Sequence, residues 1–309
     1  MKSRLIVIFT FSIAGILTFY SCSKDDSTEP TGSGGTQSNP ERDTALNDYT
    51  TNYLGSAVSS TGWTGSTAAC NAGAVSQATH DAVIKRINYF RRMVGLNDHC
   101  TLDSTLFSQE QETALIMSAN NALNHNPPNT WLCWTQAAAD GAGSSNLALG
   151  SHSSGAITAF INDFGAGNQV VGHRRWILHS RKQTFSYGST NNAMALHVFR
   201  SDTNSIVPDY IAYPPKGYVP QTLVFGRWSF GIPSADFSAA TVTMTGPSGN
   251  VPLTVVSRSD NGYGDNTLVW EPAGINVSGT SDVNYTVSVS GISGAALSSY
   301  AYTVTIFKP

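Results

Sequence analysis

The chain has 309 residues with 40% hydrophobic and only 12% charged side chains, and its formal net charge is −3. No long basic cluster occurs, which excludes nucleic acid as an expected partner. The length leaves room for two domains after any targeting segment is removed.

In chain order, Lys2 and Arg4 form a basic n-region and Leu5 to Phe19 is an apolar run short for a membrane span. Small Ser21 then precedes Cys22. Residues 1–22 read as a secretory signal peptide, and the cysteine at the cleavage point as that of a bacterial lipoprotein lipidated at Cys22. An ordinary signal peptide cut near Cys22 is the alternative. Ser23-Lys24-Asp25-Asp26 resembles the acidic tether of Bacteroidetes-type surface lipoproteins. Residues 23–45, rich in Ser, Thr, Gly, Pro and charge, read as a flexible tether because they cannot bury a core.

Export makes one disulfide plausible among Cys70, Cys100 and Cys133, with one thiol left over. Cys70–Cys133 and Cys100–Cys133 are the leading pairings. No spacing matches a zinc ribbon or a redox pair.

From Gln77 to Val94, the positions Val83, Ile87, Phe90 and Val94 recur at the spacing of one helix face, with Gly95 as the stop. Lys85, Arg86, Arg91 and Arg92 fall largely off that stripe. A second helix is predicted from an Asp103 or Ser104 cap through Leu106, Ala114, Met117 and Leu123 to His125, where Pro127-Pro128 forbids continuation. A third should open after Ser153 or Ser154 and carry Ile157, Phe160 and Ile161 to Gly165. Beyond a Pro214–Pro220 linker the period changes to two. Val242 and Met244, then Val283, Tyr285, Val287 and Val289, then Tyr302, Val304 and Ile306 alternate with polar residues. Leu223–Phe230, Val251–Ser257 and Thr267–Trp270 add candidates. Short strands of this number suggest an antiparallel, immunoglobulin-like β-sandwich over residues 206–309. Its aromatics (Trp228, Phe230, Trp270, Tyr285, Tyr300 and Tyr302, with Tyr263) are expected mostly in the core. Asp260, Asn261, Asp265 and Asn266 could hold calcium, although a plain turn is the simpler reading.

Several separated pieces carry a family resemblance. They are Arg86-Ile87-Asn88-Tyr89-Phe90-Arg91 with Gly95-Leu96, Thr101-Leu102-Asp103, Leu123-Asn124-His125, Ser145-Asn146-Leu147-Ala148, Ala156 to Asp163, and Gly172-His173-Arg174-Arg175-Trp176-Ile177-Leu178. In order and spacing this set resembles the CAP superfamily, which comprises cysteine-rich secretory proteins, antigen 5 and pathogenesis-related class 1 proteins. The resemblance covers about residues 80–190 and implies a CAP-type α-β-α sandwich, set in a domain of residues 46–205 with an N-terminal extension; with the separate all-β domain after it, the fold class is α+β. It also implies a cleft holding two histidines and two acidic residues. By motif the histidines fall on His125 and His173, one acid falls on Ser145 and the other on Asp163. One carboxylate is therefore lost.

His125, His173 and Asp163 with a water would make an open, three-ligand zinc centre. Without a metal, His125 could cap a helix C-terminus and His173 could orient a loop. His179 is expected at the surface, and His80, His99, His152 and His197 lack partner spacing. A serine hydrolase finds no Gly-x-Ser-x-Gly elbow and no sequence device that would activate Ser145. The sequence thus favours an exported binding module, anchored to a membrane only by its lipid, at the outer membrane or cell surface or else secreted. The resemblance implies a ligand of lipid, metal or protein class. A hydrolase using His125, His173 and Asp163, with zinc as cofactor, and a structural scaffold are the alternatives.

Overall fold

The computed structural model describes residues 39–199, 207–258 and 262–309. The segment read as a signal peptide, Cys22, most of the segment read as a tether, Asp260 and Asn261 lie outside them. The first helix, α1 (Pro40–Asp48), begins inside the segment assigned to the tether. Asn39 caps it by accepting from the Arg42 amide, Pro40 occupies the first turn, and Glu41 and Asp43 face its positive end. No residue of α1 is buried. Polar contacts hold it instead: Arg42 pairs with Asp282 at 3.1 Å and donates to the Lys308 carbonyl at 2.9 Å.

Helix α2 (Gln77–Met93) follows the predicted stripe, with Val83, Ile87 and Phe90 fully buried. Each such side chain contributes about 1.5–3 kcal/mol of transfer free energy. The arginines depart from expectation, because Arg86 and Arg91 are buried too. Arg86 donates to Ser56, Tyr53, Ser154 and Thr158 and lies 3.9 Å from the Tyr53 ring centroid. Arg91 donates to the carbonyls of Asn97, Ile177, His179 and Lys182. These charges are tolerated inside because fixed carbonyl oxygens replace water around each guanidinium.

Strand β1 (Thr101–Leu102) leads through a turn capped by Asp103 into α3 (Phe107–Asn120). This helix ends at Asn121, left-handed at φ 47°, which is several residues short of His125. An Asn that tolerates the left-handed conformation ends the helix before the two prolines are reached. Helix α4 (Gln136–Ser144), capped by Thr135, has no apolar period and was not expected. Strand β2 (Ser145–Leu149), α5 (Ser153–Asn162), the short α6 (Gly172–Ile177), β3 (Thr184–Ser189) and β4 (Ala193–His197) complete this half. Helix α5 stops at Asp163, not Gly165, again through a left-handed residue.

The sheet order is β1-β3-β4-β2. On one face Leu147, Ala193 and Ala195 pack against Ile116, Met117, Ala138 and Ala142 of α3 and α4. On the other, Ala148, Met194, Leu196 and Tyr187 pack against Val83, Ile87, Ile157 and Phe160 of α2 and α5. Alternation along the strands thus places helices on both faces. At Gly188 of β3 a Cβ would stand 2.2 Å from the Glu110 carbonyl, so only glycine lets α3 rest so close to the sheet. Cys70 and Cys133 form the disulfide, one of the two leading pairings, and Cys100 is buried with its Sγ directed at the Asn97 and Lys182 carbonyls.

The remaining strands are β5 (Ile211–Tyr213), β6 (Gly217–Pro220), β7 (Trp228–Gly231), β8 (Thr241–Gly246), β9 (Gly249–Asn250), β10 (Leu253–Ser257), β11 (Thr267–Pro272), β12 (Val283–Ser290) and β13 (Ser299–Phe307). They form two sheets, β10-β11-β7-β5 and β6-β13-β12-β8-β9. One core, built on Trp228, Phe230, Trp270, Val287, Tyr302 and Val304, lies between them, as the period of two implies. The segment read as a linker is not one. Its Gly217–Pro220 stretch pairs in parallel with β13, and Val219 is fully buried. Residues 39–309 accordingly form one compact unit.

Candidate functional site

A cleft of about 400 Å³ is lined by His125, Ser145, Asn146, Gly172, His173 and Trp176, with Val170, Val198, Phe199 and Tyr263. Its polar groups come from the loop after α3, the start of β2, the turn between α5 and α6 that carries Asn168, the first turn of α6 and the loop before β11. Tyr263 comes from the second half of the chain. Its ring stands 3.0 Å from where a Cβ on Gly172 would lie.

Both histidines predicted for a shared cleft therefore reach it. His125 Nδ1 donates to the Ala142 carbonyl at 2.8 Å. That carbonyl belongs to the last turn of α4, so His125 does satisfy a helix end, although not that of its own helix. His173 Nδ1 donates to Asp163 Oδ1 at 2.8 Å, and Asp163 Oδ2 accepts the Arg174 amide at 3.2 Å. With each Nδ1 acting as donor to an oxygen, the neutral rings carry their lone pairs on Nε2. Asn146 Nδ2 donates to the His173 carbonyl and fixes the same turn.

The segment carrying His173 is strained. Val171, immediately before α6, is left-handed at φ 47°, a rare state for a β-branched residue, and Asp163 is at φ 50°. Buried contacts hold it there. Arg174 donates to the Ile161 and Asn162 carbonyls and to Ser229 Oγ, and lies 4.7 Å from the Tyr213 ring centroid. Burial lowers the Arg174 guanidinium to about 10, which leaves it charged at neutral pH.

Asp163 is not a ligand candidate. Its carboxylate is wholly buried and both oxygens are engaged behind His173. The three-ligand centre of His125, His173 and Asp163 is thereby corrected to two imidazoles with a positioning carboxylate. Among the described residues no group of three His, Cys, Asp or Glu side chains could hold a metal. The donor set does not fit a three-ligand zinc site.

The second carboxylate near the cleft was not anticipated. Ser145 Oγ donates to Glu110 Oε2 at 2.6 Å, and Glu110 is completely buried. His197 Nδ1 stands 3.3 Å from Glu110 Oε1. A buried carboxylate on α3 thus stands directly behind Ser145. A signal for it exists: Glu110, Ala114 and Met117 fall at intervals of four and three, on the apolar face of the helix. In the run Gln109-Glu110-Gln111-Glu112 the polarity masks that register.

Two other expectations change. Asp265 does not face solvent as a calcium ligand, because its oxygens accept from the Ser180 amide and hydroxyl at 2.7 and 3.0 Å. His179 is not a surface residue. Burial lowers its pKa, with Asp265 at 3.7 Å opposing. No family model, curated protein or solved structure matches the chain.

Proposed function

We propose that the chain is an exported CAP-type binding protein. On this reading it is lipidated at Cys22 and tethered at the outer membrane or cell surface, with a CAP domain (46–205) and an immunoglobulin-like β-sandwich (206–309). The disulfide fits passage through an oxidising compartment. The observation that carries the functional reading is the convergence of His125 and His173 on one cleft, each with Nδ1 already committed. Two Nε2 lone pairs accept from a ligand that brings hydroxyl or ammonium donors. Trp176, Phe199, Tyr263 and Val170 present apolar surface beside them. That combination suits an amphipathic, lipid-class ligand whose polar head meets the imidazoles. A zinc-dependent hydrolase is disfavoured by the missing third ligand.

The test titrates the protein with dodecanol, a simple hydroxylated apolar probe, and with zinc, following Trp fluorescence and heat. The expected result is saturable dodecanol binding, weakened at least tenfold in the His125→Ala/His173→Ala double variant, with zinc no tighter than about micromolar. Dodecanol binding that is absent, or equal in the variant, sinks the reading. Submicromolar zinc lost in the variant would restore the metal-centred one.

A further inference from the structure

We infer that Ser145 is a nucleophile, with Glu110 as its general base, so that the cleft can hydrolyse neutral acyl esters without a metal. This is an activity beyond ligand binding and rests on different atoms.

A serine hydroxyl is a poor nucleophile unless a positioned base takes its proton. Here the base is in place. The 2.6 Å distance from Ser145 Oγ to Glu110 Oε2 lies in the range of a charge-assisted hydroxyl–carboxylate bond. The carboxylate is closely surrounded, although His197 Nδ1 makes no hydrogen bond to it. It is fully buried, α3 is pressed onto β3 at Gly188, and Gln109 Nε2 and His197 Nδ1 each stand 3.3 Å from Oε1. His197 is itself the β4 residue paired with Ser145 across the sheet. Removing a carboxylate from water is costly, and a glutamine or a leucine at 110 would avoid that cost. The costly group stands against a hydroxyl-bearing residue that lines the cleft.

The chemistry balances. Ser145 Oγ forms a bond to the acyl carbon as its proton passes to Glu110, and the carbon–oxygen bond to the alcohol breaks. The departing alcohol oxygen takes that proton from Glu110. Water attacks the acyl-Ser145 ester as Glu110 takes its proton, the free acid departs, and Ser145 Oγ recovers the proton from Glu110. The sum is one ester and one water giving one acid and one alcohol, with no change of oxidation state.

The test treats the full chain with a fluorophosphonate, which loses fluoride to an activated serine, and maps the adduct by mass spectrometry of the peptide containing Ser144 and Ser145. The expected result is one adduct, on Ser145, absent in Ser145→Ala, retained in Ser144→Ala and formed at least tenfold more slowly in Glu110→Gln. p-Nitrophenyl acetate hydrolysis should fall in the same order. No adduct on Ser145, or equal labelling of Ser144 and Ser145, overturns the proposal, and this mapping on the unaltered chain decides even if a variant fails to fold. Labelling of folded Glu110→Gln at the original rate removes Glu110 as the base.

Discussion

The two cleft histidines owe their chemistry to partners that are far apart in sequence. Ala142 and Asp163 each accept from an Nδ1–H. The tautomer is therefore fixed by the fold, and both rings are expected as the Nδ1–H form when neutral. Nitrogen-15 shifts of the imidazoles at pH 7.5 check this: Nε2 should resonate as the unprotonated nitrogen in both rings. Asp163→Leu should release His173 into a mixture while leaving His125 unchanged. A protonated Nε2 beside an unprotonated Nδ1 in the unaltered protein would refute the arrangement. The sequence pointed to His125 and His173 because their motifs are short and local. It could not show that Asp163 stands behind His173, since a carboxylate's direction depends on the left-handed turn that ends α5. Glu110 was hidden for a related reason: its charge suggested a solvated face although its position in the helix repeat pointed inward.

Among the elements, α6 is six residues long, far below the length at which a helix holds by itself. Two buried arginines compensate. Arg91 gathers the Ile177, His179 and Lys182 carbonyls beyond its C-terminus. Arg174, within it, binds the end of α5 and reaches β7 through Ser229. Replacing Arg174 by Met should lower stability by on the order of 3 kcal/mol, because carbonyls that accept from a charged donor are left buried without one. Urea unfolding checks this, and a loss below about 0.5 kcal/mol would show that water or a rearrangement fills the place. Long periodic elements were legible: α2 and β12 run where their apolar repeats put them. Helix α4 and strand β6 were not, each for its own reason. Helix α4 is mostly alanine and glycine with no amphipathic stripe, and β6 is defined by a parallel partner nearly ninety residues away.

For the molecule as a whole, acid sensitivity follows from two histidines outside the cleft. His80 stacks on Phe107, with its Nδ1 3.0 Å from the Tyr187 hydroxyl. Burial lowers its pKa below 6.5, with Asp81 opposing. His179 is lowered by burial as well, against Asp265 and alongside the neighbouring cations Lys182, Arg91 and Arg181. A histidine depressed in the fold is protonated first in the unfolded chain. Its contribution is therefore complete above pH 6.5 and is lost as the pH falls from there towards the folded value. Melting temperatures should be flat between pH 8 and 7 and decline from about 6.5 downward. The decline should be shallower in His80→Phe and His179→Asn variants. A curve that rises on acidification would reverse the sign and contradict the buried, neutral assignment.

The first described helix adds a mechanical property. Asn39 donates to the Tyr218 hydroxyl, and Arg42 clasps Asp282 and the Lys308 carbonyl, so this entry point lies against the final strand. A force applied at Asn39 is borne first by these exposed contacts and by β6 and β13 behind them, not by β2 or α6. Pulling at this point would peel α1 away before it disturbed His125, Ser145 or His173. A protein held by that end could bear tension without losing the shape of its cleft.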